Sequence, residues 1–374
     1  MKTFKSYDCA AVGRLQSQTI SLLRFPLIVA VVMIHSGLDD VVVRGVNVTS
    51  AVDCPVYRFM ETLFVNGFAR IAVPLFFFIS GFLFFHNGMF TAGVYKEKLK
   101  KRFCSLFVPY VFWNVVVIAL TFLTQVFLSG MTSGRKKLVV DYTLADWLDC
   151  FWCNGDEGMP ICYPFWFIRN LMILVLVSPL FYFIIKRTGV ALTAVAGALW
   201  LTGITGISNT GPWSLEGVAF FSWGAYYGIK GKNFVAGMRR CPVKVALSAY
   251  AVIMVLRMAL WVNGVDDGDV THRLSIVSGL VAVVLVAAWL FENGKAKVGG
   301  LLVSSTFFVY GYHAMPAALA VKMWVRMIPP SDFTMTLGLF VIPVVLSAVG
   351  VLLYSLSARL LPGFTAVIVG GRKG

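Results

Sequence analysis

Ser21-Leu-Leu-Arg24-Phe-Pro-Leu-Ile-Val-Ala-Val-Val-Met-Ile-His35-Ser-Gly37 is an apolar run interrupted by one arginine and one histidine. Read as a helix, the step from 24 to 35 is three full turns plus roughly 20°, so both side chains share one face, ~16 Å apart along the axis. That distance covers about half of a bilayer's hydrocarbon core. Ionisable groups at such depth are costly, and they face a bundle interior or a watery cavity. A cation near one membrane face with a titratable imidazole deeper in points to chemistry rather than to anchoring alone.

The rest of the chain fits that reading. Of 374 residues, 59% are hydrophobic and only 13% charged, and the mean hydropathy is +0.82. Soluble domains do not combine so little charge with so much aliphatic and aromatic mass. The apolar runs last about 18–25 residues without strict alternation, which favours helices over barrel strands with their ~10-residue dyad repeats. The pattern predicts an all-α membrane protein, a bundle of about ten transmembrane helices. They are expected near 20–38, 62–85, 104–128, 165–185, 190–208, 213–229, 243–263, 274–291, 300–321 and 335–358. The whole of 1–374 reads as a single transmembrane domain with no separate soluble domain. Its longest connection, about 129–164, carries Trp147, Trp152 and a Gly-Asp-Glu-Gly turn, and could cap the outer mouth of the bundle. The first span reads as retained, because no short apolar region with a small-residue cleavage site follows the N-terminus.

The net charge of +15 invites a nucleic-acid partner, but its distribution rejects one. Basic residues gather in alternate connections: Lys96, Lys98, Lys100, Lys101 and Arg102; Lys186 and Arg187; Lys230, Lys232, Arg239, Arg240 and Lys244; Lys295 and Lys297; and both tails. The opposite connections hold Asp39, Asp40, Asp53, Asp141, Asp146, Asp149, Asp156, Glu157, Asp266, Asp267, Asp269 and Asp332, with few cations beyond Arg44, Arg58 and 135–137. By the positive-inside rule both termini are cytoplasmic, in a multi-pass protein of the cytoplasmic (inner) membrane. Topology and contact with anionic membrane lipids account for the charge. There is no internal repeat, which weighs against transporters built from repeated halves. Of seven cysteines, Cys9, Cys104 and Cys241 fall on the cytoplasmic side, and Cys54, Cys150, Cys153 and Cys162 outside. Disulfides are the favoured role for the outer four, with zinc at Cys150-x-x-Cys153 the weaker alternative and no metal expected.

His35 is the first candidate for chemistry, since imidazole is the commonest general base toward a hydroxyl; the bland alternative is a packing histidine. Arg24 is either a snorkelling anchor or a grip on the phosphates of an anionic cofactor. A second element, Asn66-Gly-Phe-Ala-Arg70-Ile-Ala-Val-Pro74-Leu-Phe-Phe-Phe-Ile-Ser80-Gly81, offers small residues for a close helix approach, and Arg70 for snorkelling or an anionic substrate. In Tyr95-Lys-Glu-Lys98-Leu-Lys-Lys-Arg102, Lys98 and Arg102 share a helix face: topological charge, or a basic vestibule for a polyphosphate nucleotide. Glu216 could orient His35, bind sugar hydroxyls or sit at the interface, and His313 could pack or take part.

Arg-x10-His, Pro74-Leu-Phe-Phe-Phe-Ile-Ser-Gly-Phe-Leu83 and the basic run leading to Pro109-Tyr110 together resemble the integral-membrane acyltransferase family 3. Phe165-Trp166-Phe-Ile-Arg169-Asn-Leu and Phe307-Phe-Val-Tyr310-Gly-Tyr-His313 look like its later landmarks. The resemblance covers nearly the whole chain. It implies ten core helices, an acyl-CoA donor bound from the cytoplasm, and transfer, often of acetyl, to a hydroxyl on an extracytoplasmic glycan or lipid-linked saccharide. His35 and Arg24 match the family's essential pair, and Lys98 and Arg102 match a basic position that varies between members. The larger branch carries a Trp-Ser-Leu-x-x-Glu-Glu-type segment at the fourth span; here Trp166 is followed by Phe-Ile-Arg169, which leaves open the acidic group that assists His35. No hydrolase-like domain is appended.

These readings converge on an acyl-CoA-dependent O-acyltransferase. Arg24, Lys98 and Arg102 would hold the cofactor, and His35, with Arg24, would form the catalytic pair. Arg70, Ser80, Trp166, Arg169, Glu216 and His313 are the candidates for substrate contact, with Ser80 or Trp166 as oxyanion donors. No serine or cysteine has an adjacent base in sequence, which disfavours a covalent intermediate. The rival reading is a transporter or flippase for a glycolipid or small polar solute, with Arg24, Arg70 and His35 lining its path. A non-catalytic sensor or interaction subunit is a third.

Overall fold

The fold comes from a computed structural model, which describes residues 9–371 except 44–45, 51, 87–89, 129–136, 156–157, 208 and 298. The basic tails, Arg44, residues 135 and 136, Asp156, Glu157 and the Cys9 thiol lie outside the described residues. The chain runs α1 (Cys9–Ile34), a two-residue hairpin of β1 (Val42–Val43) and β2 (Val46–Asn47), α2 (Pro55–Leu63), α3 (Ala72–Phe85), α4 (Ala92–Arg102), α5 (Val108–Phe127) and α6 (Leu144–Asp149). It continues through α7 (Trp166–Leu176), α8 (Ser178–Thr188), α9 (Ala191–Thr202), α10 (Leu215–Ile229), α11 (Phe234–Met238) and α12 (Val243–Val262). The last five are α13 (Val270–Glu292), α14 (Gly300–Tyr312), α15 (Ala314–Met327), α16 (Asp332–Leu360) and α17 (Pro362–Ile368).

Six helical runs among the described residues are long and apolar enough to cross a membrane: Val12–Ile34, Pro55–Phe85, Ala92–Phe127, Val243–Val262, Val270–Glu292 and Asp332–Leu360. A seventh exists if α7 and α8, bent by 63° at Val177, count as one span. The remaining expected spans are shorter pieces: α9, α10, and the 300–321 run, which divides at His313. Physical reasons are local. Pro179 near the start of α8 removes an amide donor, so α7 cannot continue straight through. Between α2 and α3 the helix widens to a π turn at 64–68 and tightens to a 3₁₀ turn at 69–71 without ending.

Sequence patterning explains which faces turn inward. The phenylalanine-rich α3 buries Phe77, Phe78, Phe82, Phe84 and Phe85, whereas α12 leaves Val252 67% and Val255 69% exposed. Bare valine on that scale suits hydrocarbon rather than water. α3 and α10 touch backbone to backbone: a Cβ on Gly81 would lie 2.1 Å from the Phe221 carbonyl oxygen, and one on Gly224 1.8 Å from that of Phe78. The close approach expected at Ser80-Gly81 is therefore present.

The long connection folds as a small cap. α6 begins in a capping box of Thr143 and Asp146, and Lys137 donates to Asp146 at 2.6 Å. Those donors hold the Asp146 carboxyl well below the usual carboxylate range. Tyr110 donates its hydroxyl to the Phe151 carbonyl (2.5 Å), and the Asn114 amide oxygen accepts from Cys162 N–H (3.0 Å). The expected outer disulfides do not form. The Cys54, Cys153 and Cys162 thiols are unoxidised. Cys54 is buried with its sulfur 3.3 Å from Met335 Sδ, while Cys150 packs in the cap with Ile118 and Val139. Cys150-x-x-Cys153 gathers no third metal-ligating side chain among the described residues.

Candidate active site

α1 carries Arg24 on its span and ends at Ile34, so His35 sits just beyond the helix instead of within it. The last turn tightens there: His35 N–H donates to Val32 O at 3.1 Å, and Ser36 Oγ donates to the same carbonyl at 2.7 Å. Such back-bonding competes with helical continuation. A Cβ on Gly37 would come within 3.1 Å of Glu61 Oε1. Glu61 accepts from Tyr57 OH (2.9 Å), which in turn accepts from Leu38 N–H (2.7 Å). This lock on the chain after His35 was not apparent in the sequence, because its partners come from α2.

Two cavities meet at Arg102. The outer one, of about 650 Å³, is a basic mouth lined by Lys98, Lys100, Lys101 and Arg102 against a single carboxylate, Glu97, with Leu83, Phe84, Cys104, Ser105 and Gly370. The inner one, of about 420 Å³, is lined by Arg24, Ser80, Arg102, Phe167, Ser304, Thr306, Tyr310 and Gly371 with aliphatic neighbours. Leu83 and Arg102 belong to both. Lys98 donates to the Phe84 carbonyl and lies 5.2 Å from that ring's centre. Neither Arg24 nor Arg102 has a hydrogen-bond or ion-pair partner among the described residues. Buried cations without partners are costly unless an anion arrives. Sequence reasoning missed Gly370-Gly371, although a glycine pair near the chain's end is a visible signal. Gly370 takes φ +72°, and a Cβ there would meet the Ser105 carbonyl oxygen at 2.5 Å.

His35 is not part of the inner cavity's lining, whereas Tyr310 is. The Tyr310 ring is 6.0 Å from that of His313, and His313's is 5.5 Å from that of His35. Tyr163 packs edge-on against His35 at 4.8 Å. Tyr310 OH donates to the Pro164 carbonyl at 2.6 Å, fixing this aromatic wall to the start of α7. Tyr163 was not singled out in the sequence, though it adjoins the Phe165-Trp166 landmark. His313 is wholly buried at the joint between α14 and α15.

The other sequence candidates separate. Ser80 joins Arg24 on the inner cavity wall. Arg70, on the 3₁₀ turn, is exposed and has no hydrogen-bond partner among the described residues; it lies within electrostatic reach of His35, Glu61 and Glu216. Glu216 is buried at the start of α10, facing Arg70 and Trp200 rather than His35. Trp166 is half-buried, 6.3 Å from the Phe77 ring. Arg169 is 1% exposed, and its guanidinium donates to the carbonyls of Trp152, Gly158 (3.1 Å) and Thr210 (2.7 Å). It ties the cap to the connection before α10.

Comparison with known proteins matches this arrangement to one family. The Acyl_transf_3 acyltransferase domain matches residues 18–356. The succinoglycan biosynthesis protein ExoH of Rhizobium meliloti is 25% identical over 366 residues, covering 96% of this chain and 93% of that protein. No solved structure gives a significant match. The match takes in Arg24, Lys98, Arg102 and the His35–His313 pair, and the chain belongs to the Acyl_transf_3 family of acyltransferases.

Proposed function

We propose that the protein moves an acyl group, acetyl in the simplest case, from cytoplasmic acyl-CoA to a hydroxyl of an extracytoplasmic glycan or lipid-linked saccharide. The observation that carries this reading is a pair of guanidinium groups without partners among the described residues, Arg24 and Arg102, on a cavity that adjoins a basic mouth. Arginine forks suit phosphate oxygens, and the lysines of the mouth add point charge. The relative's place in succinoglycan biosynthesis supports a glycan acceptor. The mouth and Gly370 share one end of the bundle, which takes the cytoplasmic side on the charge asymmetry of the connections.

In this reading Arg24, Lys98 and Arg102 hold the nucleotide while the thioester arm passes Tyr310 toward His35. His35 takes the proton of the acceptor hydroxyl as that oxygen attacks the thioester carbonyl. The C–S bond then breaks, and the departing thiolate receives the proton from the imidazolium. Ser80, on the inner cavity wall, would donate to the oxyanion, and Arg70 and Glu216 would contact the acceptor. Positioned proton transfer contributes about 10²–10⁴-fold.

Purified protein with CoA in a thermal-unfolding assay, followed by turnover with acyl-CoA and surface glycans, tests the proposal. CoA should raise the Tm of the wild type and of His35→Ala, but not of Arg24→Ala. His35→Ala should lower turnover at least about 100-fold. A flippase would consume no acyl-CoA, and turnover persisting in His35→Ala would end the assignment of the base.

A further inference from the structure

His313 is a histidine with one nitrogen committed and one left over. Its Nδ1 lies 2.7 Å from the Tyr310 carbonyl and 3.2 Å from that of Val309. Both partners are acceptors only, so Nδ1 carries the proton and Nε2 is left as a bare lone pair. Nε2 is enclosed and has no hydrogen-bond partner, and the residue has no exposed surface. Leaving such an acceptor unpaired costs on the order of 1–3 kcal/mol. Among the described residues, the aromatic rings against His313 are those of Tyr310, which spends its own hydroxyl on Pro164, and of His35. Tyr163, the third neighbour, turns its hydroxyl toward the Ala314 carbonyl at 3.5 Å. Of these rings, that of His35, which makes no hydrogen bond among the described residues, is the one able to supply an N–H.

We propose that His313 is the positioning residue for His35: its Nε2 accepts the His35 N–H, directly or through one water, and so decides which His35 nitrogen stays bare to take the acceptor's proton. The ring spacing of 5.5 Å brings the two imidazoles within a small side-chain movement of that bond. The device performs the orienting task that a carboxylate performs in other histidine-based sites. Here the groups that face His35 electrostatically are His313 and Arg70, so a neutral acceptor takes the carboxylate's place. The main-chain carbonyls at the end of α14 fix the His313 tautomer, and His313 in turn fixes that of His35. When His35 gains the proton, its second N–H already has an acceptor. The acceptor hydroxyl's proton moves to His35 and then to the leaving thiolate, and His313 neither gains nor loses one. This rests on His35 being the base, as proposed above.

The test compares His313→Asn with His313→Gln. Asn replaces the donor at Nδ1 and removes the acceptor at Nε2; Gln places an amide oxygen where Nε2 was. In His313→Asn, kcat should fall at least about 10-fold, with KM for acyl-CoA changed less than about threefold. The acid limb of its kcat–pH profile should move to lower pH, because the His35 imidazolium has lost its acceptor. His313→Gln should recover most of the rate and return the limb toward the wild-type position. Equal rates and profiles for the two variants, or losses that merely follow their Tm, would overturn the inference. Wild-type kinetics in both alongside an inactive His35→Ala would do the same while leaving the base in place. Activity in His35→Ala would instead remove the underlying reading.

Discussion

At the scale of single residues, the two arginines of greatest interest have opposite circumstances. Arg24 sits on a cavity wall with no hydrogen-bond partner among the described residues, whereas Arg169 has three main-chain carbonyls. Replacing Arg169 by Met should strand those carbonyls at about 1–3 kcal/mol each. The expected result is a lower Tm and faster proteolysis of the 137–162 cap, with KM for acyl-CoA unchanged at permissive temperature. A change confined to KM for the glycan, with Tm intact, would mean Arg169 contacts substrate instead. Sequence alone could not separate these arginines, because the carbonyls come from segments distant in the chain. Arg24 and His35 could be related from the sequence because both fall in one apolar run at helical spacing. His35's true place was not, since the helix stops one residue earlier, where Ser36 bonds back and α2 holds the following chain.

At the scale of elements, the readable features were those written in small residues. Ser80-Gly81 announced a close approach, and α10 supplies it with Gly224 set against the Phe78 carbonyl. Gly224→Val should force α3 and α10 apart. Its Tm should fall by more than that of Val255→Ala on the bare face of α12, in the same detergent. Breaks were harder to foresee. A continuous apolar run from 300 to 321 conceals the joint at His313, and the run from 165 to 185 conceals a 63° bend. Hydropathy reports what a segment can dissolve in, and it is silent on direction. The outer cysteines show the same limit, for their shared side of the membrane suggested pairing while burial placed Cys54 against Met335.

For the whole molecule, charge and hydropathy already fixed the class: little charge, long apolar runs and basic connections on alternate loops. The cavities could not be read from that pattern, because each is assembled from helices far apart in sequence. Their arrangement implies a direction of traffic. In sealed vesicles of known orientation, membrane-impermeant acyl-CoA should support transfer only when supplied on the side bearing the Lys98–Arg102 mouth. Equal rates from both sides would contradict a one-sided donor entry.

The Gly370-Gly371 turn wedges between the mouth and the inner chamber, pressed onto the backbone of Ser105. Whatever polypeptide follows it must set out from the rim of the port. An affinity handle appended there begins beside the residues that line the mouth. Two preparations differing only in where the handle is attached would then report different apparent affinities for the same thioester, and the discrepancy would be architectural rather than chemical.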